Sequence, residues 1–187
     1  MAGSVDAFIA LGSNLGDRLP QLERARSALG GTAGIRVVAA SRIYETEPVG
    51  PAGQGPYLNA VLAVETRLGG RPLLDRLLEI ELSEGRDRSG EVERWSARTL
   101  DLDLLLYGDS CIDEPGLEVP HPRLHERGFV LAPLCELAGS RVHPRLGKSL
   151  ETLRRERAAS GWLRVLDQAG AGWGKPPSGE GRIPSNT

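Results

Sequence analysis

The run Arg98-Thr99-Leu100-Asp101-Leu102-Asp103-Leu104-Leu105-Leu106 constrains this chain more than any other. A β-strand has a period of two, so Asp101 and Asp103 share one face while Leu100, Leu102, Leu104 and Leu106 point the other way, into a core. Two carboxylates side by side on such a strand repel each other and lose hydration, and bound divalent cations would relieve both penalties. Oxygen-only donors favour magnesium or manganese over zinc. The pair could equally lie on the wet face of a half-covered sheet, so the neighbouring residues must decide between the two readings.

The rest of the chain places this strand last in a regular series. Residues 5–11 read as a strand and 12–17 as a tight turn. Leu19, Leu22, Ala25 and Leu29 then recur at helical spacing until Gly30-Gly31 stops them. Residues 35–44 and 58–66 read as strands, separated by a long irregular loop over 46–56 that is broken by glycine and proline. A helix over 71–84 follows from the Leu73, Leu74, Leu77, Leu78 stripe, with Pro72 in its first turn and Gly85 just beyond its end. With a strand over 99–107 the order is β-α-β-β-α-β, which predicts an α+β fold of the ferredoxin-like sandwich type. Residues 127–138, kinked at Pro133, and a basic amphipathic helix over 150–159 with a solvated outer face are expected as C-terminal helical additions. Residues 1–166 are thus expected to form one domain, and the Gly/Pro/Ser-rich composition of 167–187 predicts a disordered tail.

At 187 residues the chain is long enough for one sizeable core. A formal net charge of -2 argues against affinity for nucleic acid, which normally comes with a basic excess. The sequence lacks both a secretory pattern at its start and any apolar run long enough to span a bilayer, so a cytoplasmic protein without membrane contact is expected. Cys111 and Cys135 have no metal-site spacing and read as two reduced thiols.

Around the carboxylate pair the residue types suit a polyphosphate. Arg86, Arg88, Arg94 and Arg98 crowd its approach, a suitable grip for a triphosphate, although with Asp87, Glu91 and Glu93 they could also form only a charged loop. Trp95 sits in that polar stretch, where its indole either folds back on the core or stacks on a flat ligand. The segment 120–129 adds His121, Arg127 and Phe129, and His121 can donate a hydrogen bond to phosphate or be an ordinary surface histidine. Glu81 extends the apolar stripe of its helix, which puts a carboxyl group either toward the site or at the rim of the stripe. Gly12-Ser13-Asn14-Leu15-Gly16-Asp17 lacks the lysine and spacing of a phosphate loop and reads as a turn, so phosphate binding must fall to arginines and metals.

These motifs, in this order, resemble the family of 6-hydroxymethyl-7,8-dihydropterin pyrophosphokinases. The resemblance runs through Ala10 to Gly16, Thr46 to Gly50, Tyr57-Leu58-Asn59, Glu81 to Arg86, Arg94-Trp95 through Asp103, and Pro120-His121 to Phe129. It implies transfer of the terminal diphosphate of ATP to the pterin alcohol in folate biosynthesis, with two magnesium ions; separately, a monomer is expected. Asp101 and Asp103 would hold the metals. Arg86, Arg98 and His121 would act on the triphosphate as catalytic groups, joined there by Arg127 and, near the nucleotide, Glu81. Tyr57, Asn59, Trp95 and Phe129 would form the pterin pocket, with Thr46, Pro48 and Val49 closing over it through backbone groups. The chain departs from the family pattern in Ser96-Ala97, where Gly-Pro is common, in the charged Glu47, and in a lengthened 86–94 segment.

Overall fold

A computed structural model describes residues 3–48, 53–85, 99–157, 162–166 and 172–174. The central strand is β1 (Val5–Ser13), whose apolar side chains point alternately to both faces. The expected turn therefore begins later than Gly12: Gly12 and Ser13 continue the strand, and the chain turns through Gly16, which has φ +62°. Between the expected strand limits of 35 and 44 the chain breaks, giving β2 (Ile35–Ala40) and β3 (Tyr44–Thr46). Ser41 fills the break, since its N–H donates to Val61 O and its hydroxyl accepts from Val61 N, each at 2.9 Å. Both short strands pair with β4 (Tyr57–Thr66), which also pairs with β1 along its full length. On the other side of β1 lies β5 (Asp101–Tyr107).

A hairpin not expected from the sequence, β6 (Ile112–Glu114) with β7 (Leu117–Val119), follows β5, and β8 (Leu163–Val165) pairs with β3. The main sheet has the order β5-β1-β4-β3-β8, with β2 also on β4, and among the described residues its strand pairings are antiparallel.

Helices cover both faces. On one side α1 (Arg18–Gly30) and α2 (Gly70–Ser83) bury Leu22, Ala25, Leu29, Leu73, Leu77 and Ile80 against Ala7, Ile9, Leu11, Leu62 and Leu102. On the other, α3 (Gly128–Ala138) and α4 (Leu150–Glu156) bury Val130, Leu131, Leu134, Leu150 and Leu153 against Phe8, Ala10, Val61 and Ala63. Burial on two faces explains why β1 and β4 are apolar almost throughout. It also accounts for the amphipathic pattern expected over 150–159, since α4 packs Leu150 and Leu153 into the second core and leaves its charged side to water, ending at Glu156.

Two further expectations give way. The register of β1 against β5 shifts between Phe8 and Ile9, so that Leu105 is extra and the side-chain parity reverses beyond it. Leu100, Leu102 and Leu104 enter the first core as expected, but Leu106 enters the second. In the segment expected to be a disordered tail, Trp173 is 9% exposed and joins the first core beneath the Arg26 guanidinium, 5.4 Å from its ring centroid. Among the described residues no helix is long and apolar enough to cross a membrane.

Candidate active site

Strand register assembles the site in a row. Asp101 lies opposite Gly12, Gly12 opposite Asn59, and Asn59 opposite Tyr44, so four strands present these residues on one face. One step along, Asp103 lies opposite Ala10. The two carboxylates are about 7 Å apart along the strand, two residues of extended rise. β1 sets only glycine and alanine beside them. A Cβ built on Gly12 would stand 3.3 Å from Asn59 Oδ1 and 3.9 Å from the Asp101 Cβ, so glycine clears the floor between the amide and the carboxylate.

The amide end of the row is fixed. Asn59 donates from Nδ2 to the Thr46 hydroxyl at 2.8 Å, and both side chains are buried. Tyr57 and Asn14 both donate to Gln54 Oε1, at 3.4 and 3.1 Å, gathering the end of the β3–β4 connection against the start of β1's turn. Tyr44 donates to Glu136 of α3, and burial together with that carboxylate pushes its phenol up to about 12, so it remains a donor at neutral pH. Neither Gln54 nor Tyr44 was singled out from the sequence. Gln54 lies in a loop with no pattern, and Tyr44 reads locally as one more strand residue.

At the carboxylate end Asp103 faces cations. Arg127 Nη1 donates to Asp103 Oδ2 at 3.1 Å, and His121 Nε2 stands 3.8 Å from the same oxygen. The backbone N–H of Arg123 donates to His121 Nδ1, which leaves Nε2 as the protonated nitrogen of the neutral ring, turned toward the site, and the backbone N–H of His121 donates to Leu105 O. Burial pushes the His121 pKa down and outweighs the opposing pull of Asp103. Arg127 also lies 5.9 Å from the Phe129 ring centroid, and its buried Nε finds no acceptor among the described residues. Phe129 opens α3 and is only partly buried, against the second core.

Glu81 is 1% exposed and its Oε1 accepts from the Leu102 N–H at 2.7 Å, between the two aspartates. The structure therefore places it beneath the strand that carries the pair. Pro48 ends the described part of the chain after β3. Val49, Arg86, Trp95 and Arg98, with Arg88 and Arg94, lie outside the described residues.

Among the described residues no group of three or more histidine, cysteine or carboxylate side chains could hold a metal. Asp101 and Asp103 offer oxygen donors only, which fits magnesium, commonly bound by one or two carboxylates with substrate phosphates and water completing its shell. The cationic side chain on Asp103 is an arginine, whose guanidinium geometry suits carboxylate and phosphate alike.

Comparison with known proteins gives the family. The family model described as 7,8-dihydro-6-hydroxymethylpterin-pyrophosphokinase (HPPK) matches residues 8–139. A 2-amino-4-hydroxy-6-hydroxymethyldihydropteridine pyrophosphokinase of Haemophilus influenzae is 44% identical over 140 residues, 75% of this chain and 86% of the relative. The protein of that name from Bacillus subtilis is 47% identical over 131 residues, 70% of this chain and 77% of its own length. Among solved structures, an HPPK-DHPS in complex with substrates superposes with a TM-score of 0.65 at 12% identity, over 82% of this chain. Wild-type Plasmodium falciparum HPPK-DHPS with pterin and p-hydroxybenzoate gives 0.64 at 14% identity, over 83% of this chain. This chain spans 43% and 42% of those two longer chains, and at such identities the likeness is one of fold.

Proposed function

The chain belongs to the 7,8-dihydro-6-hydroxymethylpterin-pyrophosphokinase family, and from that membership we propose that it transfers the terminal diphosphate of ATP to 6-hydroxymethyl-7,8-dihydropterin in folate biosynthesis. The observation that carries the reading to particular residues is the row Asp101–Gly12–Asn59, with Arg127 and His121 gathered on Asp103. Residues 1–166 act as one pyrophosphokinase domain, a cytoplasmic monomer in this reading. Its fold is a ferredoxin-like βαββαβ core to which β6 and β7, α3, α4 and β8 are added.

The pterin lies over Gly12, its polar edge read by the Asn59 amide that Thr46 orients, and its faces are clasped by Trp95 and Phe129. Tyr57, Pro48 and Val49 complete that pocket. Arg86, Arg98, His121 and Arg127 bind the triphosphate, and Arg127 exchanges part of its contact with Asp103 for phosphate oxygens. Magnesium, as two ions held by Asp101 and Asp103, supplies charge neutralisation on the transferring group when bound. Glu81 keeps β5 in place under both carboxylates.

In the transfer, the hydroxymethyl oxygen forms a bond to the β-phosphorus and gives up its proton to solvent, the bond from that phosphorus to the oxygen of the α-phosphate breaks, and AMP departs with that oxygen. The side chains supply alignment and charge, and none need form a covalent intermediate. Incubation with ATP, magnesium and the pterin should give AMP and pterin diphosphate in equal amounts, read by chromatography of the nucleotides. Accumulation of ADP would indicate attack at the γ-phosphorus, and ATP consumption without pterin would indicate a hydrolase; either result overturns the proposal.

A further inference from the structure

The family match ends at residue 139, yet the chain returns to the pterin side of the sheet well beyond it, through β8. β8 pairs Thr46 with Leu163, Glu45 with Arg164 and Tyr44 with Val165, so it covers the whole outer edge of the three-residue strand β3. Outside the ladder, Glu47 N–H donates to Trp162 O at 3.3 Å and Leu166 N–H to Ile43 O at 2.8 Å. Side chains alternate along β3, so Thr46 and Tyr44 face the site while Glu45 faces the α1 side.

Glu45 is buried and ties three segments together. Its Oε1 accepts from Arg18 of α1 at 3.0 Å, and its Oε2 accepts from Arg164 Nε at 2.8 Å and from Arg164 Nη2. Arg18 also donates to Pro56 O at 2.8 Å, just before Tyr57. One carboxylate thus joins β8 to both ends of the β3–β4 connection, with Thr46 at one end and Tyr57 at the other. Burial alone would raise the Glu45 pKa, but the hydrogen bonds from Arg164 and Arg18 outweigh it and leave the carboxyl below its usual range, so it is ionised at neutral pH. The Arg164 guanidinium lies 5.3 Å from the Trp162 ring centroid, which restricts the head group that grips Glu45.

Resting on the pterin reading of the Thr46–Asn59 pair, we infer that β8 is a positioning element of the pterin pocket and that Arg164 is its positioning residue. It acts through Glu45 to hold the β3 backbone at the setting in which Thr46 orients Asn59. Arg164 touches neither substrate nor phosphate in this assignment. Its side chain is 71% exposed, so its removal should leave the fold intact.

The test compares Arg164→Ala and Arg164→Lys with the unaltered full chain, measuring KM for each substrate, pterin binding by equilibrium titration, and thermal stability. Arg164→Ala should raise the KM and dissociation constant for pterin by about tenfold, the scale on which residues removed from a ligand bias its site, while the KM for ATP stays unchanged. Arg164→Lys, which keeps the charge but not the planar fork, should restore part of the loss. Unchanged pterin binding overturns the inference, as does a parallel rise in both KM values accompanied by lower stability, the mark of a merely structural strand. If the unaltered chain does not form AMP from ATP and pterin, the reading of the pocket fails first and the inference falls with it.

Discussion

Replacing Glu81 separates the support of the carboxylate pair from the pair itself. The Glu81 carboxyl is buried and accepts from the Leu102 N–H at 2.7 Å, and Leu102 is 2% exposed, so no water can take over the acceptor's place without rearrangement. In Glu81→Ala the buried N–H loses its partner, which costs about 1–3 kcal/mol. Removing the buried methylene stem adds about 1 kcal/mol of lost burial. A total near 3 kcal/mol corresponds to a fall in Tm of about 6–12 °C for a chain of this size. Because Leu102 lies between Asp101 and Asp103, the same loss should shift both carboxylates and lower kcat, whereas Glu81→Gln retains an acceptor oxygen of the same reach and should recover most of the stability. Differential scanning fluorimetry with steady-state kinetics checks both. An Ala variant with Tm within about 2 °C of the parent would refute the claim that this hydrogen bond holds the strand.

The carboxylates themselves should behave differently. Asp101→Ala and Asp103→Ala should each remain folded while turnover falls by at least about a hundredfold at saturating magnesium, since charge stabilisation in such sites is worth several kcal/mol; near-normal turnover in either variant would remove the metal assignment. Gly12→Ala sets a Cβ 3.3 Å from Asn59 Oδ1. It should raise the KM for pterin by about tenfold through misplacement of the amide, with the KM for ATP unaffected, which a two-substrate kinetic matrix would reveal.

Local periodicity made the β5 carboxylates legible, and for the same reason it misplaced Leu106. In Leu104-Leu105-Leu106 every position is apolar, so the sequence looks the same whether or not a residue is extra, and only pairing with Phe8 and Ile9 reveals the shift. The break between β2 and β3 was hidden similarly, because Ser41 is compensated by Val61 from a strand distant in the chain. Two-sided burial could have been read from Val5–Ser13, where Phe8 and Ala10 are as apolar as Ala7, Ile9 and Leu11; half-polar alternation would be expected of a sheet wet on one face. Gly12 was read as a turn residue because its value lies in what stands opposite it on two neighbouring strands, and register across strands is not a local property. Trp173, alone in a glycine-rich stretch, carries no periodicity from which its burial could be foreseen.

The layers also account for where the pair sits. From below, α2 reaches β5 through Glu81, which grips the backbone between the aspartates. From above, His121 and Arg127 come from the segment that joins β7 to α3, and both face Asp103. That segment is anchored in turn: the His121 N–H binds Leu105 O, at the residue where β5 bulges, and Leu124 is buried in the second core. Without that segment Asp103 would lose both of these neighbours. With it, Asp103 is held by a cation, while the carboxylate strand cannot move without breaking contacts on both faces. The segment between β7 and α3 is therefore what brings Arg127 and His121 to the strand aspartates.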